Sequence, residues 1–152
     1  MQTLEKTQVN LRIKMLEHAV SEPFYATEGS AGMDLSAAID VPIYLKPSER
    51  YAVPTGLIFE VPIGYEAQVR ARSGLSIKQG LSLANGIGTI DSDYRGEVKV
   101  LMVNLGTKTV TINPGDRIAQ VVICPVMKAN LEVVSEVTST DRSSGGFGST
   151  GV

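Results

Sequence analysis

The chain has no excess of charge of either sign. Lys and Arg number 14 and Asp and Glu 16, a formal net charge of −2. No broad attraction to nucleic acid or to an anionic membrane is therefore expected, and any phosphate binding has to be local. Cysteine is nearly absent. Cys124 stands alone, which excludes an internal disulfide, and its place in the apolar run 118–126 predicts a buried, inert thiol. No apolar run approaches the roughly 20 residues needed to cross a bilayer. The N-terminus shows no charged-then-apolar leader, so no secretory signal is expected and the chain is read as cytoplasmic. Tandem repeats are missing too.

What is present is globular in composition, with 43% hydrophobic and 20% charged residues. A length of 152 residues suits one domain with a core of its own. The dominant period is two: Val9, Leu11, Ile13 and Met15 alternate with Asn10, Arg12 and Lys14, as in a half-buried strand. Ile39, Val41, Ile43 and Leu45 repeat the pattern before Pro47 and Ser48 turn the chain. The runs 57–61 and 65–71 flank Pro62, Ile63 and Gly64, which predicts a hairpin, and 98–103, 109–112 and 118–126 are further β-rich runs. Short strands punctuated by Gly and Pro indicate an all-β barrel or sandwich. One short helix is predicted at 74–79, capped by Ser73. From Thr138 onward apolar alternation gives way to Ser, Thr and Gly. The chain therefore divides into a β-domain over 1–137 and a flexible C-terminal arm over 138–152. Residues 1–8 receive no assignment.

Five loops combine Gly with polar or charged residues. In AGMDLSAA (31–38), read alone, Asp34 suits a tight turn in which it bonds its own backbone. In ARSGLS (71–76), Arg72, Ser73 and Gly74 stand at a strand-to-helix junction. Exposed amides, a guanidinium fork and close backbone approach there suit phosphate, but an ordinary Ser cap with a surface Arg fits equally. In the segment 84–98, Asn85, the backbone about Gly88, Thr89 and Ile90, and Tyr94 suit the edge of a flat heterocycle and a sugar. Asp91 reads either as a base partly shielded by Ile90 and Tyr94 or as a structural acidic turn. In PGDRIAQ (114–120), Gln120 needs a buried partner or a ligand, whereas Asp116 and Arg117 read as a surface pair. In the arm, Phe147 amid glycines and near Arg142 is unusual for a spacer and suits a lid that folds over ligand.

Taken together, in this order and spacing, the five segments resemble the motifs of the homotrimeric dUTPase family. ARSGLSIKQG (71–80), GTIDSDYRGEV (88–98) and RSSGGFGSTG (142–151) carry most of the resemblance. It implies a jelly-roll-like β-barrel assembled as a homotrimer, with active sites shared between subunits. It also implies hydrolysis of dUTP to dUMP and pyrophosphate with Mg²⁺ held mainly through substrate phosphates and water, supplying dUMP for thymidylate synthesis and keeping uracil out of DNA. By the same resemblance Asp91 is the catalytic acid that prepares the attacking water, and Arg72, Ser73 and Gly74 bind phosphate. Asn85, Gly88, Thr89, Ile90, Val98 and Lys99 meet uracil, those about the hairpin through their backbone, and Tyr94 packs under deoxyribose. Gln120 lies near the α-phosphate, Arg142 meets the γ-phosphate, Phe147 stacks on uracil, and Gly148, Ser149 and Thr150 wrap the terminal phosphates. Asp34 touches the hydrated metal or supports the site indirectly. The rivals are a dCTP deaminase on the same fold, with a Glu-centred site and no such tail, a nucleotide-binding protein without turnover, and a purely structural β-trimer.

Overall fold

The computed structural model describes residues 8–151. Eleven strands and one helix follow one another among these residues: β1 (Arg12–Met15), β2 (Phe24–Tyr25), β3 (Met33–Ser36), β4 (Ile43–Leu45), β5 (Arg50–Glu60), β6 (Tyr65–Arg70), α1 (Ser73–Gln79), β7 (Leu81–Leu83), β8 (Gly88–Ile90), β9 (Glu97–Asn104), β10 (Val110–Ile112) and β11 (Arg117–Pro125). The strands form a four-stranded sheet in the order β1-β5-β9-β7, a five-stranded sheet β2-β3-β11-β6-β8, and the pair β10-β4. All-β architecture with one short helix is as expected. The three sheets remain separate, so the barrel does not close.

Alternation sets the faces. Along β9, Val98, Val100, Met102 and Asn104 turn inward while Lys99 and Leu101 face out, as the two-residue strand period requires. Leu35, Phe59, Ala67, Val69, Val100 and Val121 meet in one buried cluster. Phe59 is fully buried, and such a side chain contributes about 1.5–3 kcal/mol by leaving water.

The predicted hairpin across 62–64 does not form, although both of its strands exist. A strand has two hydrogen-bonding edges, and those of β5 are taken by β1 and β9, those of β6 by β11 and β8. The chain instead turns a corner from one sheet to the other, closed by the Tyr65 amide on the Pro62 carbonyl at 3.1 Å. The alternating stretch 39–45 yields only β4. Pro42 lacks the amide a ladder needs, and Val41 is exposed. Helix α1 starts one residue earlier than expected. Arg72, in extended conformation, holds the cap position, no side chain caps the end, and Ser73 is already helical. Gly80, at φ 71, closes the other end in the left-handed region, where glycine carries no Cβ penalty. Most of 1–8, the unassigned N-terminal stretch, lies outside the described residues.

Candidate active site

Two clefts hold most of the residues singled out from the sequence, and no residue lines both. The first, about 450 Å³, is lined by Asn85, Gly88, Thr89, Ile90, Asp91, Tyr94, Val98 and Lys99. It arises from a detour of the chain. β7 and β9 pair antiparallel, with Leu83 opposite Met102, but the segment between them leaves to place β8 against β6 in the other sheet. The segment 84–98 is thus bracketed by the pair β7 and β9, with β8 diverted to the other sheet. The gap between β8 and β9 is floored by Val69 and Leu101.

The loop that carries Asp91 is tied at several points. The Tyr94 amide donates to the Asp91 carbonyl at 3.2 Å, and Arg95 Nη1 donates to the carbonyls of Ser92 and Tyr94 at 2.8 and 2.9 Å. Tyr94 Oη donates to the Glu97 carbonyl at 3.1 Å, folding the ring over Gly96, where no Cβ would fit. Asp91 itself is exposed. The shielding expected of Ile90 and Tyr94 is not met within one chain, because Ile90 turns into the core and Tyr94 closes back on Glu97.

Glu97, which the sequence reading passed over, also lines this cleft. Its Oε1 accepts from His18 Nε2 at 2.7 Å and from the Gly56 amide at 2.9 Å. Burial by itself would raise its pKa. The hydrogen bonds from His18 and Gly56, with the charges of His18 and Lys99, outweigh burial and hold the carboxyl below its ordinary value.

The second cleft, about 300 Å³, brings together Arg72, Ser73, Gly74 and Gln120 with Asp34 and Arg117. Here the tight-turn reading of Asp34 fails. Asp34 is buried on β3 opposite Gln120, and its carboxylate takes Arg72 Nε at 3.3 Å and Arg117 Nη1 at 3.0 Å. A buried carboxylate requires such partners. Arg72 Nη1 also donates to the Arg117 carbonyl at 3.0 Å, so the guanidinium is fixed from two sides. The surface pair expected of Asp116 and Arg117 does not form in this way, since Asp116 accepts the Asn113 amide at 2.8 Å and Arg117 serves Asp34. Two guanidinium groups on one carboxylate leave positive charge in excess, as an anion site needs. Gln120 has the partner it was expected to need: Nε2 donates to the Ala71 carbonyl at 3.0 Å. Gly32 leaves its side chain the space a Cβ would fill. Burial was the signal for the Asp34 pairing, and the sequence shows only a lone acid among small residues.

The arm keeps apart from both clefts. Its turns close internally, as where Arg142 Nε donates to the Gly145 carbonyl at 2.8 Å. Phe147 is fully exposed, and Arg142, Phe147, Gly148 and Ser149 line neither cleft. Among the described residues no three His, Cys, Asp or Glu side chains gather as a metal cage, and Asp34 is occupied by its two arginines. Among the described residues no helix is long and apolar enough to cross a membrane.

Comparison with known proteins gives the family. The dUTPase family model matches residues 19–151. The deoxyuridine 5'-triphosphate nucleotidohydrolase of Aquifex aeolicus is 56% identical over 147 residues, 95% of this chain and 98% of the relative. That of Bdellovibrio bacteriovorus is 50% identical over 142 residues, covering 93% and 95%. Among solved structures, the Staphylococcus bacteriophage 80alpha dUTPase with dUpNHpp superposes with a TM-score of 0.85 at 28% identity, covering 95% of this chain and all of that one. A mutant dUTPase from phage phi11 of S. aureus, described for its coordination of a structural Mg(II) ion, gives 0.77 at 26% identity, covering 86% of this chain and all of the other. The chain therefore belongs to the dUTPase family, the deoxyuridine 5'-triphosphate nucleotidohydrolases, and is a dUTP diphosphatase.

Proposed function

We propose that the protein hydrolyses dUTP to dUMP and pyrophosphate with Asp91 as the general base, in a homotrimer whose active sites are each built from more than one subunit. The observation that carries the reading is the division of the site. The nucleoside cleft with Asp91, the arginine-lined cleft and the arm with Phe147 share no lining residue on one chain. Each holds one part of what a deoxynucleoside triphosphate needs, and assembly of copies brings such parts together.

In this reading the backbone about Gly88, Thr89, Ile90, Val98 and Lys99, with the Asn85 amide, meets the uracil edge. Hydrogen-bonding walls of this kind discriminate strongly against a base with the wrong donor order. Tyr94 packs under the deoxyribose and leaves no space for a 2′-hydroxyl. Arg72, Ser73, Gly74 and Gln120 take the phosphates, with Asp34 and Arg117 holding Arg72 in place. Asp91 orients a water in line with the α-phosphorus and removes its proton as the oxygen attacks, and the bond to the pyrophosphate oxygen breaks. Mg²⁺, which no side chain here would need to hold directly, would supply charge neutralisation to the leaving group when bound with the substrate. The arm (138–152), separate from the domain (1–137), closes over the site with Arg142 on the γ-phosphate, Phe147 on uracil, and Gly148, Ser149 and Thr150 about the terminal phosphates. Shielding of Asp91 from water is completed by that closure. The protein works in the cytoplasm, supplying dUMP for thymidylate synthesis and keeping uracil out of DNA.

Incubation with Mg²⁺ and either dUTP or dCTP, with products resolved by chromatography, tests the reaction. dUMP and pyrophosphate from dUTP are expected. Conversion of dCTP to dUTP, or tight dUTP binding with no turnover, would overturn it. Light scattering should give three times the mass of one chain.

A further inference from the structure

Glu97 joins three elements that the proposed reaction leaves unexplained. Its side chain lies against a bulge in β5, where the register with β9 shifts between Pro54 and Ile58. Within that bulge the Thr55 hydroxyl, itself buried, donates to the Val98 carbonyl at 2.6 Å, and the Gly56 amide points to Glu97 Oε1 at 2.9 Å. Gly56 has φ 70, and a Cβ there would meet Ala19 Cα at 2.5 Å. The carbonyl of Gly56 accepts the Leu16 amide at 2.8 Å, which ties the bulge to the segment carrying His18. His18 returns to the same Glu97 oxygen.

The main chain of Glu97 faces the other way. Its carbonyl accepts the Tyr94 hydroxyl at 3.1 Å, and the next two residues, Val98 and Lys99, line the nucleoside cleft. One residue is thus pinned by its carboxylate to β5 and His18, and holds by its carbonyl the ring that the reaction places under the sugar. Lys99 is the other charged group facing the carboxylate.

We propose that Glu97, clamped by His18 and the Gly56 amide, is a positioning residue that sets Tyr94 and the start of β9, and through them the selection of deoxyribose over ribose. This rests on the dUTP reading of the cleft. His18 and the Gly56 amide share one acceptor oxygen of Glu97, so removal of that oxygen frees the end of β9 and the Tyr94 ring together, whereas a neutral amide oxygen keeps weaker forms of both bonds. Asp91, on the other side of the loop, keeps its own turn through Arg95 and the Tyr94 amide. Selectivity therefore falls more than the chemical step does.

The test compares kcat and KM for dUTP and for UTP in the full-length protein with Mg²⁺, in the wild type, Glu97→Ala, Glu97→Gln and His18→Ala. The expected result for Glu97→Ala is a fall of about tenfold in the dUTP-to-UTP ratio of kcat/KM, equivalent to about 1.4 kcal/mol, carried mainly by KM. Glu97→Gln, whose amide oxygen still accepts from Gly56, should recover most of the ratio, and His18→Ala should lose part of it. Hydrogen exchange of the Gly56 amide should quicken in Glu97→Ala whether or not nucleotide is turned over. An unchanged ratio in folded Glu97→Ala and His18→Ala, or an equal fall in kcat for both nucleotides, would overturn the proposal. Should Glu97→Ala fail to fold, the exposed His18 position decides by the same ratio. Failure of the wild type to hydrolyse dUTP would instead overturn the reaction, while Gly56 exchange still reports on the clamp.

Discussion

Asp91 and Glu97 lie six residues apart on one loop and strand, and their surroundings separate their roles. Asp91 is exposed and free to take a water, whereas Glu97 is committed to His18 and Gly56. On the proposed reaction, Asp91→Asn keeps the shape and removes the base. Turnover of dUTP should fall about 10²–10⁴-fold, the usual contribution of a general base, while affinity for a non-hydrolysable dUTP analogue stays within about threefold, a change below about 1 kcal/mol. Steady-state kinetics and calorimetry check both parts. Glu97 makes a pH prediction. Its folded pKa is depressed, so its contribution to stability is present above the ordinary carboxylate value and lost as pH falls through the lowered one. The gap in urea midpoint between wild type and Glu97→Gln should close as pH falls below the ordinary carboxylate value, about 4.3, and through the lowered one. A gap that persists in strong acid would contradict the assignment.

At the scale of elements, the junction between the four-stranded sheet and the β10-β4 pair depends on one amide. Asn104, fully buried at the end of β9, donates through Nδ2 to the carbonyls of Leu45 and Lys108 at 2.8 and 2.7 Å and accepts the Gly106 amide at 2.8 Å. Its replacement by Ala leaves the buried Leu45 carbonyl without its donor, while the partners at Lys108 and Gly106 are only partly buried and can turn to water. A buried unsatisfied group costs about 1–3 kcal/mol, so Asn104→Ala should destabilise the fold by about 1–3 kcal/mol in urea unfolding. A loss below 1 kcal/mol, roughly that of one ordinary hydrogen bond, would show that water replaces the amide.

The whole molecule leaves much apolar surface unused. Met127, Leu131, Val133 and Val137 follow the last strand and are almost fully exposed, beyond what isolated surface apolar residues amount to. In the proposed assembly, a covering subunit fits both the chemistry of this stretch and the divided site. Deletion of 142–152 removes Arg142 and Phe147 but keeps this apolar stretch. Hydrolysis should slow by at least about 100-fold, the scale of losing several phosphate and stacking contacts at about 1–3 kcal/mol each, with the mass by light scattering unchanged. Dissociation into single chains would assign assembly to the arm.

Much was settled along the chain itself. β-rich runs marked β9 and β11, the stretch 74–79 marked α1 to within one residue, and the order of five glycine-containing segments carried the resemblance to the dUTPase family. These are local properties, carried by residue type and spacing. Other features rest on contacts between distant parts of the chain. Asp34 meets an arginine 83 positions away, and Glu97 meets a histidine 79 positions away; neither pair leaves a trace in spacing. Sheet membership was likewise hidden, because both edges of β5 are taken by strands found far from it in sequence. Residue type and order along the chain determined which segments resemble the family's motifs. The tertiary structure decided which of their residues are held, and by what, because burial and a limited number of hydrogen-bonding edges belong to the fold and not to any one segment.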